Sequence, residues 1–295
     1  VSEFFDALLR YSFLQHALLA GLLASIVCGV MGTYVVVRRI TFISGGIAHC
    51  VLGGMGIAYY LRNALGWNVH PMHGAVLAAL IAALVIGLIS LRGGQHEDTV
   101  IGAVWAVGMA VGVIFISRTP GYNVDLMSYL FGNILMVTGA NLWLMVALDA
   151  IILAVVIVFY KEFMAVCFDA EFSRLRGIRV DAYYLLLLCL TALTVVILVQ
   201  VVGLILVIAL LTIPAAIAGR FTRALWQMMI VAALLGTAFT TGGLVVSYRP
   251  GLPSGATIIC LAGAAYLVVL SLRWVFTRLR RSRRANAAPA EPPAA

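Results

Sequence analysis

Long apolar runs, broken by short polar or glycine- and proline-bearing segments, set the plan of the chain. Runs at 13–37, 43–62, 73–91, 99–117, 141–160, 182–200, 203–219, 224–247 and 255–275 come close to the ~20 residues that a helix needs to cross a bilayer. The breaks hold Arg38–Arg39, the loop RNALGWNVHPMH with Pro71, RGGQHED, Pro120–Gly121, Gly203 and YRPGLPSG, all of them segments that punctuate helices. One more piece, LMSYLFGNILMVT at 126–138, is too short and too polar to cross comfortably. It reads as a re-entrant or broken helix, whose backbone at membrane depth must be shielded by protein or water. The pattern predicts an all-α polytopic membrane protein of about nine transmembrane helices with one re-entrant or broken helix. Residues 1–12 are a short polar lead, 13–276 the transmembrane domain, and 277–295 a basic, then Pro/Ala-rich tail expected to be disordered. The run at 13–37 is too long for the core of a cleavable signal, so no such leader is expected.

Composition agrees: 64% of the 295 residues are hydrophobic and 10% charged. The net charge of +8 changes the picture only through its distribution, which argues against nucleic acid as a partner. Fifteen of the 19 Lys and Arg residues fall on one side of the predicted membrane, including Arg38, Arg39, Arg92, Lys161, Arg174 and the tail, and four on the other. The positive-inside rule then places the tail and the 161–181 segment in the cytoplasm and the N-terminal lead outside. The five cysteines show no CxxC or zinc-ribbon spacing, and four of them lie in apolar runs as small hydrophobes.

Candidate chemistry is sparse. His49 sits near the middle of TFISGGIAHCVLGGMGIAYYL and at helical spacing shares a face with Gly45, Gly53 and Gly56. Glycines on a transmembrane face admit another backbone, so the imidazole is expected to face protein or a pore, either as a ligand or as a simple hydrogen-bonding partner of a neighbouring helix. Gly108 and Gly112 form a GxxxG motif of the same packing kind. Asp149 lies mid-run and is either a proton or ion relay or a protonated acid bonded to a neighbour. His70 and His73 in HPMH have a permissive metal spacing, and His96, Glu97 and Asp98 precede a helix whose N-terminus favours acids. Pro214 interrupts LLTIPAAIAG, removing one amide hydrogen and freeing a carbonyl. Between two runs, Phe168, Asp169, Glu171, Phe172, Arg174, Leu175, Arg176 and Gly177 make a short mixed helix suited to docking on a cytoplasmic partner, or to lying on lipid headgroups. The single lysine, Lys161, follows no glycine-rich loop, and HExxH and GxSxG are absent. The chain therefore carries no ATP-binding cradle or hydrolase motif of its own.

RRITFISGGIAHCVLGG, EDTVIGAVWAVGMAVGV, YLFGNIL, FDAEFSRLRGI, LLTIPAAIAG and LPSGATI, in that order, resemble the metal-ion ABC-transporter permeases, the zinc, manganese and iron importer family. The resemblance runs from about residue 12 to 275. It implies a homodimeric permease of a prokaryotic cytoplasmic membrane, without a permanently bound cofactor, that passes a divalent metal as cargo. Its partners would be two cytoplasmic ATP-binding subunits and an extracytoplasmic metal-binding protein. FDAEFSRLRG would be the coupling helix seated on the ATPase, and His49 would line the metal path, with Cys50 nearby. Asp149 and His73 are weaker metal candidates, and Asp98 and Pro214 are candidates for gating or packing. Many members carry an aspartate four residues before that histidine, where this chain has Gly45. The alternative reading is a secondary metal or proton transporter, or a channel, using Asp149 and His49; a third is a non-transporting scaffold that recruits a protein through 162–179.

Overall fold

The computed structural model describes residues 2–92, 97–120, 132, 134–248 and 251–286, and among them no strand occurs. The helices are α1 (Ser2–Arg10), α2 (Ser12–Val37), α3 (Thr41–Leu65), α4 (Pro71–Leu91), α5 (Glu97–Ser117), α6 (Gly139–Val158), α7 (Tyr160–Phe168), α8 (Ala170–Leu175), α9 (Val180–Val202), α10 (Leu204–Ala218), α11 (Leu225–Tyr248) and α12 (Ser254–Asn286). Eight of them are long and apolar enough to cross a membrane, and α10 is a shorter apolar helix. These nine coincide with the nine apolar runs to within a few residues, apart from the far end of α12.

Two ends of the chain differ from expectation. The N-terminal lead is a helix that buries Phe4 and Ala7, with the Phe4 ring meeting Tyr248 edge-on at 5.7 Å. Apolar residues interleaved with Glu3, Asp6 and Arg10 give α1 an inward face that mere polarity hides. At the other end α12 stays helical through Asn286, past residue 277 where order was expected to end. Arginine and leucine are good helix formers, and no glycine or proline follows until Pro289. Most of 126–138 lies outside the described residues. Within it, Ile134–Met136 form a single buried-sided 3-10 turn, and Gly132, at φ 65°, lies against the backbone of Val202 and Gly203. Gly203 itself has φ 83° and separates α9 from α10. Two irregular segments thus cover one another, as backbone at membrane depth requires.

The bundle is centred on α2, α3 and α9, whose most apolar windows are about two-thirds or more buried. Small residues set the spacing. Gly21, Ser25, Gly29 and Gly32 line α2; a Cβ at Gly29 would stand 2.5 Å from the Ala233 amide nitrogen of α11, and Ser25 Oγ lies 3.4 Å from Thr240 Oγ1. On α3, Gly54 meets Gly74 of α4, while Gly53 and Gly56 meet Gly108 and Gly112 of α5. The GxxxG of α5 therefore mates with the glycine face that carries His49. Such close backbone approach replaces the hydrophobic drive that lipid does not provide.

Arg38 and the 161–181 segment, which the lysine and arginine census groups on one side, lie at one end of the bundle. The Arg38 guanidinium lies over the Tyr184 ring at 5.4 Å, and Tyr34 packs edge-on against Phe163 of α7, so the turn after α2, the start of α9 and the α7–α8 segment share one end. The contact between α1 and Tyr248 marks the opposite end.

Candidate functional site

The glycine spacing turns one face of α3 towards α5, and His49 lies in that seam. Its ring stacks on Trp105, with centroids 4.3 Å apart and planes inclined by 19°. Its Nδ1 lies 3.1 Å from Met109 Sδ. Trp105 and Met109 are one helical turn apart on α5, so they meet the imidazole together. Beside them the indole edge comes within 3.6 Å of where a Cβ at Gly45 would stand. The space next to Gly45 is thus bordered by an aromatic ring.

The surroundings open outward along α5. Only 11% of that helix's most apolar window is buried within the chain. Its outer side forms a groove of about 590 Å³ lined by Trp105, Ala106, Met109, Ala110, Val113 and Ile114. His49 is half-buried at its edge. An ionisable ring on such a face is poorly matched to lipid. Among the described residues no three His, Cys, Asp or Glu side chains gather into a metal-holding group.

The other predicted positions lie elsewhere. Cys50 faces away from His49: its thiol donates to the Val104 carbonyl at 3.3 Å and lines an apolar space between α3, α4 and α5. Asp149 is on α6, in a buried stripe with Met145, Ile152 and Val156. That helix packs on α2, and both carboxyl oxygens are buried without a hydrogen-bond partner. The geometry does not bring Asp149 to His49. His70 caps α4, its Nδ1 accepting from the Met72 amide at 3.3 Å, and His73 is exposed with its ring 6.1 Å from that of His70. His96 is outside the described residues. Asp98 is exposed and borders a polar recess of about 270 Å³ with Arg38, Arg39, Ser90 and Tyr184, and Pro214 is buried within α10.

The docking candidates form a projecting corner at the Arg38 end. Asp169 is the N-cap of α8, accepting from the Phe172 amide at 2.9 Å. Arg174 pairs with Asp181, an exposed ion pair of small energetic weight. Gly177 turns the chain at φ 79°. These three build the corner. Phe168, Phe172 and Leu175 are left 67%, 50% and 86% exposed, with Glu171 also outward and Arg176 stacked over the Phe172 ring at 4.7 Å. Phe168 at the end of α7, with Phe172 and Leu175 on the short capped α8, makes a hydrophobic knob.

Sequence reasoning missed Trp105 and Met109. The signal was present in the glycine spacing. Gly53 seats on Gly108 and Gly56 on Gly112, a parallel register that carries position 49 to position 105.

A model of the ABC 3 transport family matches residues 10–273. A probable metal transport system membrane protein of Chlamydia pneumoniae is 41% identical over 272 residues, covering 91% of this chain and 93% of that one. The manganese transport system membrane protein MntC of Halalkalibacterium halodurans is 34% identical and covers 96% of both. Among solved structures, a chain of PsaBC from Streptococcus pneumoniae, in complex with a Fab, superimposes with a TM-score of 0.80 at 30% identity, covering 91% of this chain and 94% of that one.

Proposed function

Because the chain belongs to the ABC 3 transport family, we propose that it is the membrane-spanning permease subunit of an ATP-driven importer of a divalent transition metal. The observation that carries this is the half-buried His49 on the glycine-packed α3–α5 seam of a membrane-spanning bundle. Imidazole is a ligand for borderline divalent metals. A site with few donors suits conduction, in which the ion must leave as readily as it enters.

The assembly is a homodimer whose copies meet along the lightly buried outer face of α5, shielding both His49 rings from lipid. The knob of Phe168, Phe172 and Leu175 docks into a cytoplasmic ATP-binding subunit, one for each copy. A metal-binding protein delivers cargo at the end where α1 meets Tyr248. The membrane is the bacterial cytoplasmic membrane, with the N-terminus outside and the C-terminus in the cytoplasm, supported by the arginine-rich Arg38 end. ATP hydrolysis belongs to the partner, and the chain itself is not an enzyme.

The test is uptake of zinc, manganese and iron by a strain lacking its own importers, complemented with this chain, its genomically adjacent ATPase and its binding protein. ATP-dependent uptake that is lost in His49→Ala, with the assembly still formed, supports the proposal. Uptake indifferent to a Walker-site mutation in the ATPase overturns it in favour of a secondary transporter.

A further inference from the structure

The contact between His49 and Met109 has chemical content beyond packing. Met109 is not a core residue: it is 36% exposed and stands on the outer groove of α5. A leucine would fill that position equally well, yet the thioether sulfur is turned to within 3.1 Å of Nδ1. Stacking on Trp105 fixes the ring plane in which that nitrogen points, which makes Trp105 a positioning residue. With its proton on Nδ1 the imidazole donates to the thioether; with the proton on Nε2, Nδ1 and Sδ are two lone-pair donors from different helices set side by side at the edge of the groove.

Their separation is close to what a shared ion needs. Metal–donor bonds of about 2.0–2.4 Å at a tetrahedral angle place the two donors about 3.6 Å apart. The pair would open by roughly half an ångström, within the reach of a flexible methionine side chain. We infer that Met109 is a second donor to the transported metal, and that the His49–Met109 pair sets this permease for a borderline or soft ion of the zinc class over manganese. The inference rests on the permease reading above.

Three observations carry the selectivity. Thioether and imidazole are soft and borderline ligands, whereas manganese favours carboxylate, carbonyl and water oxygen. Position 45, one turn before His49, is glycine, and the Trp105 indole borders the space a side chain there would enter. The groove beside the pair is lined almost wholly by carbon. Cys50 does not supply the sulfur, since its thiol is held by Val104 on the other side of α3. A thioether binds weakly, which suits a point of passage.

The experiment uses the whole transporter, chain plus ATPase plus binding protein, in proteoliposomes, with ATP-dependent uptake of zinc and of manganese measured separately and in competition. The variants are Met109→Leu, which keeps volume and removes the donor, and Cys50→Ser. Basal ATPase activity and assembly yield are followed in each to separate misfolding from lost ligation. The zinc-to-manganese uptake ratio is expected to fall at least about tenfold in Met109→Leu and to stay at the wild-type value in Cys50→Ser. X-ray absorption at the zinc edge of the metal-trapped complex should show a sulfur neighbour that Met109→Leu removes. An unchanged ratio and an unchanged sulfur shell in a well-assembled Met109→Leu overturn the donor role, as does a wild-type transporter that prefers manganese. Absence of ATP-dependent uptake of either metal by the wild-type assembly is a different result: it overturns the permease reading, and this inference with it.

Discussion

Replacing Gly53 with alanine tests whether the seam that holds His49 depends on backbone meeting backbone. A Cβ at position 53 would stand 2.6 Å from the Gly108 carbonyl oxygen and 3.4 Å from its carbonyl carbon. To restore ordinary contact, α5 must retreat by about 0.8 Å, because the obstacle is main chain and no rotamer clears it. The retreat is shared by the next seat along, where Gly56 meets Gly112, and it draws Trp105 and Met109 away from the imidazole. Overpacking of this kind costs about 1–3 kcal/mol, offset by up to ~1 kcal/mol from removing a glycine inside a helix. A net loss near 1–2 kcal/mol lowers the melting temperature by roughly 2–8 °C in a chain of this size.

Gly102→Ala is the control on the partner helix, since nothing lies within 4 Å of its added Cβ. It should melt at or slightly above the wild-type temperature. Scanning fluorimetry of the purified protein in one detergent compares all three, with tryptophan emission reporting any change around Trp105. A Gly53→Ala protein that melts with Gly102→Ala, its emission unshifted, would refute the close-approach reasoning.

Other perturbations separate the roles argued above. Phe172→Ala should weaken co-purification of the ATPase and uncouple its hydrolysis from metal, a truncation of an aromatic anchor costing about 2 kcal/mol or more; unchanged metal-stimulated hydrolysis would remove the α8 knob from the interface. Asp149→Asn should leave uptake near wild type at every pH, because the acid faces α2 rather than the His49 seam; a pH dependence that vanishes in the variant would restore the relay reading. Burial pushes the Cys167 thiol up to about 11, the Arg38 guanidinium only partly offsetting it. The thiol is thus protonated and poorly nucleophilic at neutral pH, and maleimide should reach it at pH 7 only after denaturation; rapid labelling of the folded protein at Cys167 itself, located by peptide mapping apart from the exposed Cys260, would contradict its burial against the bundle.

The helices were legible because lipid imposes one rule on every crossing: about twenty apolar residues with no open backbone. That rule recovers α2 through α6 and α9 through α11, their ends marked by arginine, proline or glycine except at the far end of α6, which runs into Lys161. It says less where the rule is relaxed. The amphipathic α1 was hidden because its buried side, Phe4 and Ala7, is only a few residues long. The helical continuation of α12 was hidden because a run of arginines reads as solvated charge, although arginine is also a good helix former. The docking corner was legible for a different reason. Its capping aspartate, turn glycine and exposed aromatics are local features, fixed within ten residues of one another.

The site was legible only in half, and the reason lies in what periodicity measures. Periodicity assigns a residue to a face of its own helix, which is how His49 was placed with Gly45, Gly53 and Gly56. It does not say which side chains a second helix brings to that face. Here the second helix runs parallel to the first, since α4 crosses between them, and glycine seats fix the register: Gly53 on Gly108, Gly56 on Gly112. Once that register is known, position 49 falls opposite Trp105, and Met109 follows one turn later. Cys50 was a candidate because it adjoins His49 in sequence, but adjacent helical residues diverge by about 100°. Its thiol accordingly ends on Val104, in a different space. Adjacency in the chain argued for one sulfur; the glycine register delivers another.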